Sequence, residues 1–215
     1  MTTIESDLVP YITARTGEEA VLQSYLRANR GGDGRLKLVY VDETPEDRDT
    51  RGVLWGRRSQ RKFFTGKPIG QPMWRLVHPS RQRETMMLMR CQVAFCTAKT
   101  PDGYLFLAGA NDRPTHPGEP VRIAQPPVCV EHAPIAVKLC PYLAKGHTAF
   151  LARRAPLYGV LGTRYRIGAS GIEALPPDRA PLPYGHTLQD WFLASQLVRE
   201  LRDYDTVDIN DLSPA

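Results

Sequence analysis

The sequence has no long apolar run, and several common functional motifs are missing from it. No stretch approaches the roughly 20 apolar residues that a membrane-spanning helix requires. The first residues, Met1 to Asp7, are polar and acidic, without the basic start or apolar core of a signal peptide. There is also no Walker loop, no Gly-x-Gly-x-x-Gly and no Gly-x-Ser-x-Gly. We therefore expect a cytoplasmic protein that makes no membrane contact and has no standard nucleotide site or hydrolase nucleophile.

Cysteine is also scarce, since the 215 residues include only four. In a cytosolic chain such cysteines are metal ligands or buried thiols more often than disulfides. The 19 prolines are about twice the usual share, which predicts many loops and short elements. The length suits one large domain or two small ones.

Three of the four cysteines and one histidine form two metal-ligand half-sites. The first is Cys91-x4-Cys96, and the second is Cys129-x2-His132 at the predicted start of a helix. Residues i and i+3 in a helical turn point the same way, and the positive end of the helix dipole favours thiolates. Three thiolates and one imidazole are a standard tetrahedral zinc set, and four protein ligands leave no open position. The motif therefore predicts a structural zinc ion.

Two features leave alternatives to this ligand set open. The first pair has four intervening residues, which is wider than the usual two. Cys140 competes with Cys96 for the fourth place, although it would lie roughly 16 Å from Cys129 along one helix. Cys140 is otherwise explained as a small buried apolar residue, and all four cluster positions could remain reduced and without metal.

Apolar periodicity and turn residues predict a series of short helices and strands. Helices are expected after the capping box Thr16-Gly-Glu-Glu19, from Pro79 towards Cys91, over Ala133 to Leu139 and over Leu188 to Tyr204. Strands are expected over residues 36–41, 52–55 and 104–107 and, as a pair, over 157–161 and 165–167. The last helix would carry one apolar face made of Leu188, Trp191, Ala194, Leu197, Val198 and Leu201.

This order of elements predicts an α+β fold of short strands and helices around a treble-clef-like zinc finger, with a C-terminal helix. A cysteine turn, a strand-rich segment and a ligand pair at a helix start follow one another, as they do in such fingers. We expect an N-terminal α+β segment over 1–78 and the finger over 79–150. A strand pair, a proline-rich linker and the C-terminal helix would fill 151–215, and the whole chain would form one compact unit.

Segments spread over residues 9 to 162 resemble a group of uncharacterised actinobacterial proteins of the Streptomyces type. The matching segments are 9–12, 40–43, 47–49, 52–55, 90–93, 126–129, 139–143 and 158–162. Proteins of this group carry a Cys-x2-Cys turn and a second Cys-x2-Cys at a helix start. Here Ala94 stands in place of one cysteine, with Cys96 two residues on, and His132 replaces another. The resemblance implies a retained four-ligand zinc site in a treble-clef-like finger, and it implies no activity.

Basic residues are concentrated between the second predicted strand and the first half-site. The formal net charge of +5 is mild, but five cations lie close together in the chain, namely Arg57, Arg58, Arg61, Lys62 and Lys67. Such a segment is typical of a surface that contacts phosphates, or of a solvated face in an arginine-rich protein. Together with the zinc motif, it favours a zinc-stabilised nucleic-acid-binding or regulatory protein.

Two other functions remain compatible with the sequence. An exposed apolar stripe on the last helix would make the chain a protein-interaction scaffold, as a homodimer through that helix. The acidic loop over 42–49 could serve an enzyme of actinobacterial specialised metabolism, with Trp55, Trp74 and Tyr158 lining a pocket. No nucleophile–base pair is readable, and an HNH-type nuclease would depend on the polar residues of the loop over 111–116.

Overall fold

The computed structural model describes residues 8–61, 68–110, 119–178 and 180–212, and antiparallel strands dominate them. The N-terminal strands are β1 (Thr13–Arg15), β2 (Leu26–Arg30), β3 (Leu36–Tyr40), β4 (Leu54–Trp55) and β5 (Pro72–Val77). The middle of the chain forms α1 (Pro79–Leu88), β6 (Lys99–Thr100), β7 (Gly103–Gly109), β8 (Val121–Ile123) and α2 (Ala133–Leu139). The remaining strands are β9 (His147–Arg154), β10 (Leu157–Gly168), β11 (Gly171–Ala174), β12 (Leu182–Pro183) and β13 (Phe192–Val207).

Nine of these strands form one sheet with β13 at its centre. The main order is β11-β10-β13-β9-β7-β6, while β12 pairs with β10, and β4 and β8 pair with β13. The pairing of β4 with β13 is parallel, and the other pairings within this sheet are antiparallel. Two small sheets, β1-β5 and β2-β3, lie outside it. The large sheet contains strands from all three of the expected segments, 1–78, 79–150 and 151–215.

Strands β9 and β10 lie end to end along the same side of β13. Arg154 at the end of β9 is opposite Arg202, and Leu157 at the start of β10 is opposite Arg199. Between the two strands Pro156 has no N–H to donate, but its carbonyl accepts a hydrogen bond from the Glu200 N–H at 3.0 Å. The interruption lets a long ribbon bend, and the sheet curls into a half-barrel.

The predicted C-terminal helix is wrong, because its residues form β13. Ala194 is opposite Gly162 and Gln196 is opposite Leu161, so Ser195 is an extra residue on β13, a β-bulge. Before the bulge the buried side chain is that of Ala194, and after it the buried positions resume at Leu197. The bulge changes the spacing of inward residues from two to three, which imitates the spacing of a helix face.

The rest of the predicted fold class also requires correction. The chain is mostly antiparallel β, and β7 belongs to the large sheet, where it pairs with β9, rather than to a treble-clef finger. The helix expected after Thr16 is a 3-10 turn over Gln23–Tyr25 followed by β2. Its capping box does not form, because the Glu19 backbone pairs with Ser59 and the Thr16 hydroxyl accepts the Gln71 N–H at 3.0 Å. The two segments expected to pair with each other lie in the single strand β10.

Several local predictions are confirmed. The strands expected at 36–41, 52–55 and 104–107 contain β3, β4 and most of β7. Helix α1 begins at Pro79, and α2 has the predicted bounds. Neither helix is long and apolar enough to cross a bilayer, and the described part of the chain contains no other helix that could do so.

A buried ion pair connects the segment after β1 to helix α1. Neither Arg81 nor Glu18 exposes any side-chain surface. The Arg81 guanidinium donates to both Glu18 oxygens, at 2.5 and 2.9 Å, and to the Thr13 carbonyl at 2.8 Å. His78, the residue before α1, is also fully buried, and its Nε2 lies 3.1 Å from the Ser59 carbonyl oxygen. These contacts fasten the N-terminal sheet to the core.

Gly162 marks the closest approach of β10 and β13, and we expect Gly162→Ala to destabilise the protein by about 1–3 kcal/mol. A Cβ at this position would lie 2.8 Å from the Ala194 Cα and would overlap the Leu193 carbonyl oxygen, so the strands would have to separate. Gly32→Ala is the matched control, since a Cβ there meets nothing within 4 Å. Urea denaturation of both variants measures the difference. Equal losses of stability would show that the strands tolerate the methyl group.

Candidate metal centre

The first half-site is a tight turn that brings Cys91 and Cys96 together. Arg90 and Thr97 form an antiparallel bridge, and the Cys91 N–H donates to the Cys96 carbonyl at 2.9 Å. The chain reverses through Phe95, whose φ of +58° is left-handed and therefore uncommon for a side chain of this size. The four intervening residues are the loop of this hairpin, which explains the wide spacing seen in the sequence.

The second half-site lies between β8 and α2, next to β7. The Val128 N–H donates to the Leu105 carbonyl at 2.8 Å, which holds the approach to Cys129 against β7. A 3-10 turn over Val130–His132 then leads directly into α2. The two half-sites are also joined to each other, because the Gln92 N–H donates to the Pro127 carbonyl at 2.9 Å.

The four ligand atoms converge on one point. Every pair lies within 4.8 Å, and Cys91 is buried while the other three residues are half-buried. The Cys96 sulfur lies 3.6 Å from the Cys129 sulfur and 3.7 Å from the His132 Nδ1. Tetrahedral zinc with ordinary bond lengths separates two sulfurs by about 3.8 Å, and a sulfur from a nitrogen by about 3.6 Å. The Cys129 sulfur and the His132 Nδ1 lie closer, at 2.9 Å.

The thiols differ in acidity. The Cys129 thiol and the N–H groups of Cys129, Ala94 and Val93 donate to the Cys91 sulfur and lower the pKa of Cys91 to about 5, although burial opposes this. The hydrogen bond to Cys91, together with burial, raises the pKa of Cys129. Burial and the neighbouring Cys91 charge raise the pKa of Cys96. Without a cation the site therefore stabilises one thiolate well and disfavours a second and third.

The structure distinguishes Cys96 from Cys140 as the fourth residue of the cluster. Cys140 is the residue after α2, and its sulfur is not part of the group of ligand atoms. Cys91, Cys96, Cys129 and His132 can together hold a metal ion. Thiolate and imidazole donors suit a soft or borderline cation, and four of them complete a tetrahedral shell.

The predicted basic segment is partly used inside the protein. Arg57 donates to Asp47 at 2.5 and 2.6 Å and to Asp42 at 2.8 Å, and these hydrogen bonds raise the pKa of the Arg57 guanidinium. Arg58 donates to the Glu18 carbonyl at 2.5 Å, and Arg61 is exposed near Gly17. Lys62 and Lys67 lie outside the described residues.

The acidic loop is internally paired. Asp42 and Asp47 bind Arg57, and Glu43 binds Arg48 at 2.7 Å. Asp49 accepts the Trp55 indole N–H, the Tyr184 hydroxyl and two backbone N–H groups. These carboxylates brace the loop, and none forms an acid/base pair with a histidine among the described contacts. The polar loop over 111–116 lies outside the described residues.

A groove of about 840 Å³ is the feature that the sequence did not reveal. It runs between the β1-β5 sheet, the chain after α2 and one face of β10 and β13. The residues of its wall that bear on function are Trp74, Arg75, Gln92, Arg122, Tyr142 and Lys145. These residues come from four separate stretches of the chain, so no sequence pattern could have joined them.

Comparison of this chain with known proteins adds no identification. No protein family, curated protein or solved structure shows a significant match to it. The functional argument therefore rests on the cluster and the groove.

Proposed function

We propose that the protein is a zinc-stabilised nucleic-acid-binding protein. The observation that carries the metal half of this proposal is the convergence of three thiols and one imidazole within 4.8 Å. Zinc accepts this donor set in a tetrahedral shell, and its double charge allows all three sulfurs to be thiolates at neutral pH. The ion has a structural role, because the four protein ligands leave no position for a substrate.

The zinc ion would fasten two otherwise weakly connected pieces of chain. The turn around Cys91 and the 3-10 turn after Cys129 are short and contain few backbone ladder bonds. Around them lies an apolar cluster that includes Leu105, Leu107 and Val128. The metal thus closes one end of a core that the strands alone leave open.

The charge of the groove supports nucleic acid as the ligand. Among the described residues that line the groove, Arg75, Arg122 and Lys145 are cationic and Asp178 is the one carboxylate. Arg75 and Lys145 are exposed, and the Arg122 side chain keeps 41% of its surface exposed beside Glu200. Cations fixed along a concave surface contact phosphates and release counterions, which is the main source of affinity for nucleic acids. Exposed Arg61 would extend this contact beyond the groove.

The test is the salt dependence of binding by the zinc-loaded protein. With about three phosphate contacts, the slope of log K against log salt should be about −2 for a single strand. Arg75→Ala should make the slope shallower by about 0.7, which is the contribution of one phosphate contact. Arg35→Ala is the control, because Arg35 is equally exposed but lies in the β2-β3 turn. Fluorescence anisotropy of a labelled oligonucleotide measures both slopes, and a salt-independent affinity would reject the proposal.

An interaction scaffold is the second candidate, supported by one exposed apolar patch. Leu22, Tyr25 and Val41 are 68%, 48% and 48% exposed, and the Val41 N–H donates to the Tyr25 carbonyl. The helix on which a homodimer was predicted is absent, and Leu197 and Leu201 of that stripe are buried in β13. A protein partner would therefore have to use the patch near β2 and β3.

A further inference from the structure

We infer that the groove binds single-stranded nucleic acid, with bases stacked on Trp74 and Tyr142 and with Gln92 contacting a base edge. This inference rests on the proposed function and specifies its ligand. It is drawn from the aromatic side chains, the fixed cations and an unpaired amide donor, which all lie on one groove.

Trp74 provides the first stacking surface. It lies in the middle of β5, which pairs with β1 only near its two ends, at Pro72 and Val77. Residues 73–76 of β5 lie opposite a single residue of β1, Ala14, so this part of β5 bulges from the small sheet. Trp74 is 40% exposed although it lines the groove. An indole left this accessible offers a face to an unpaired base.

Tyr142 provides a second ring in a position fixed by the backbone. Its ring packs against Gly109 so closely that a Cβ at Gly109 would lie 2.7 Å from the Tyr142 Cδ1. The side chain is nevertheless 38% exposed, and it lines the same groove. Rings held in place lose little freedom when a base stacks on them, and stacking tolerates any base.

The cations provide phosphate contacts beside these rings. Arg75 follows Trp74 in β5, is exposed and lines the same groove. The Arg122 guanidinium lies 3.9 Å from the centre of the Tyr158 ring, a cation–π contact that holds it at the groove wall. Its contact with Glu200, at 3.4 Å, is long and leaves its other N–H groups for a ligand.

Gln92 connects the groove to the metal centre. It stands between Cys91 and Val93, and its backbone is held on both sides, by Pro127 and by the Ile12 N–H. The side chain is 5% exposed and lines the groove, and its Nε2 has no hydrogen-bond partner among the described residues. A buried amide donor without a partner is costly. Its Nε2 has almost no accessible surface, so a rotation of the Gln92 side chain would bring it to a carbonyl or ring nitrogen of a base, which would satisfy it.

These features favour a single strand over a duplex. In a duplex the bases are stacked on one another, so their faces cannot reach Trp74 or Tyr142. A single strand can splay its bases into the groove while its phosphates follow the cations at the rim. An acidic peptide would satisfy the cations but would leave the rings and the amide without specific contacts.

The experiment compares one labelled strand of about 16 nucleotides with the same strand annealed to its complement, both titrated with the full-length zinc-loaded protein. We expect the single strand to bind at least about 10-fold more tightly and to quench tryptophan fluorescence. Trp74→Ala should remove the quenching and weaken single-strand binding about 10-fold. Trp74→Phe should keep most of the affinity, and Leu36→Ala, an equally exposed apolar residue on β3 that does not line the groove, should keep all of it.

The outcomes separate the inference from the proposed function. Equal, salt-dependent binding of strand and duplex, or binding unaffected by Trp74→Ala, would overturn the inference and leave the proposed function intact. Absence of binding to both would overturn the two together. An oligoglutamate that displaces the strand at equal charge concentration would show a general anion groove and would also overturn the inference. Gln92→Ala should weaken binding of the single strand several-fold and leave the Tm of the protein unchanged.

Discussion

Substitution of Cys129 by serine is expected to remove bound zinc and to abolish the cooperative melting of the central part of the chain. Structural zinc sites contribute about 10–16 kcal/mol of apparent binding free energy at neutral pH. Whole domains are stable by only about 5–15 kcal/mol. Loss of one thiolate from a four-ligand shell therefore removes a contribution as large as the net stability. A strong chelator added to the wild-type protein should reproduce the effect.

Cys140→Ser is the matched control for this prediction. The chemical change is the same and the residue is also half-buried, but its sulfur is not in the ligand cluster. We expect it to keep one zinc ion per chain and to lose about 1 kcal/mol or less. Thermal melts by circular dichroism and zinc content by mass spectrometry distinguish the two variants. A Cys129→Ser protein that melts like the wild type would contradict the structural role of the metal.

Breaking the buried ion pair should have the second largest effect. Glu18→Gln leaves the Arg81 guanidinium buried with a neutral partner, and removal of one member of a buried pair typically costs about 3–5 kcal/mol. The double substitution Glu18→Leu with Arg81→Met removes both charges and should recover most of that loss. Chemical denaturation of the three proteins measures these differences. A Glu18→Gln protein as stable as the wild type would contradict the expected loss, and a double variant no more stable than Glu18→Gln would contradict the expected recovery.

The same cluster should make stability depend on pH. Burial opposes ionisation of Glu18, but hydrogen bonds from Arg81 and the Arg15 N–H prevail and lower the pKa of Glu18. Burial and the Arg81 charge lower the pKa of His78. For both groups the unfolded chain binds protons more readily, so stability is lost as the pH falls, from about 6.5 for His78 and from about 4.5 for Glu18. Glu18→Gln should flatten the acidic part of a denaturation series, while the loss of stability below about pH 6.5 should persist, because without the Glu18 charge the pKa of His78 falls further.

The metal ligands could be predicted from the sequence because each half-site is local. Cys91 and Cys96 are joined by one hairpin turn, and Cys129 and His132 by one 3-10 turn, so spacing alone conveys their geometry. The helix over Ala133–Leu139 was predictable for the same reason. The zinc itself stays a prediction until metal content is measured.

The errors came from contacts that are distant in sequence. The Thr16 to Glu19 spacing resembles a capping box, but the Glu19 backbone pairs with Ser59 and the Thr16 hydroxyl with Gln71, 40 and 55 residues further along the chain. Likewise, the spacing of Ala194, Leu197 and Val198 resembles a helix face, and only the register with β10 reveals the bulge at Ser195. In both segments, pairing with distant parts of the chain determines the secondary structure and overrides the local sequence pattern.

The central position of β13 in the sheet has a consequence for how the protein folds during its synthesis. Each strand that pairs with it, β4, β8, β9 and β10, precedes it in the chain. During synthesis these strands therefore leave the ribosome before their common partner. Leu54 of β4, for example, cannot pair with Leu193 until more than half of the chain has been synthesised after it. Such distant pairing is slow and leaves apolar strand edges uncovered in the meantime. The four residues of the metal cluster, by contrast, have all been synthesised once His132 is added, so a bound zinc ion would order the middle of the nascent chain well before the sheet closes.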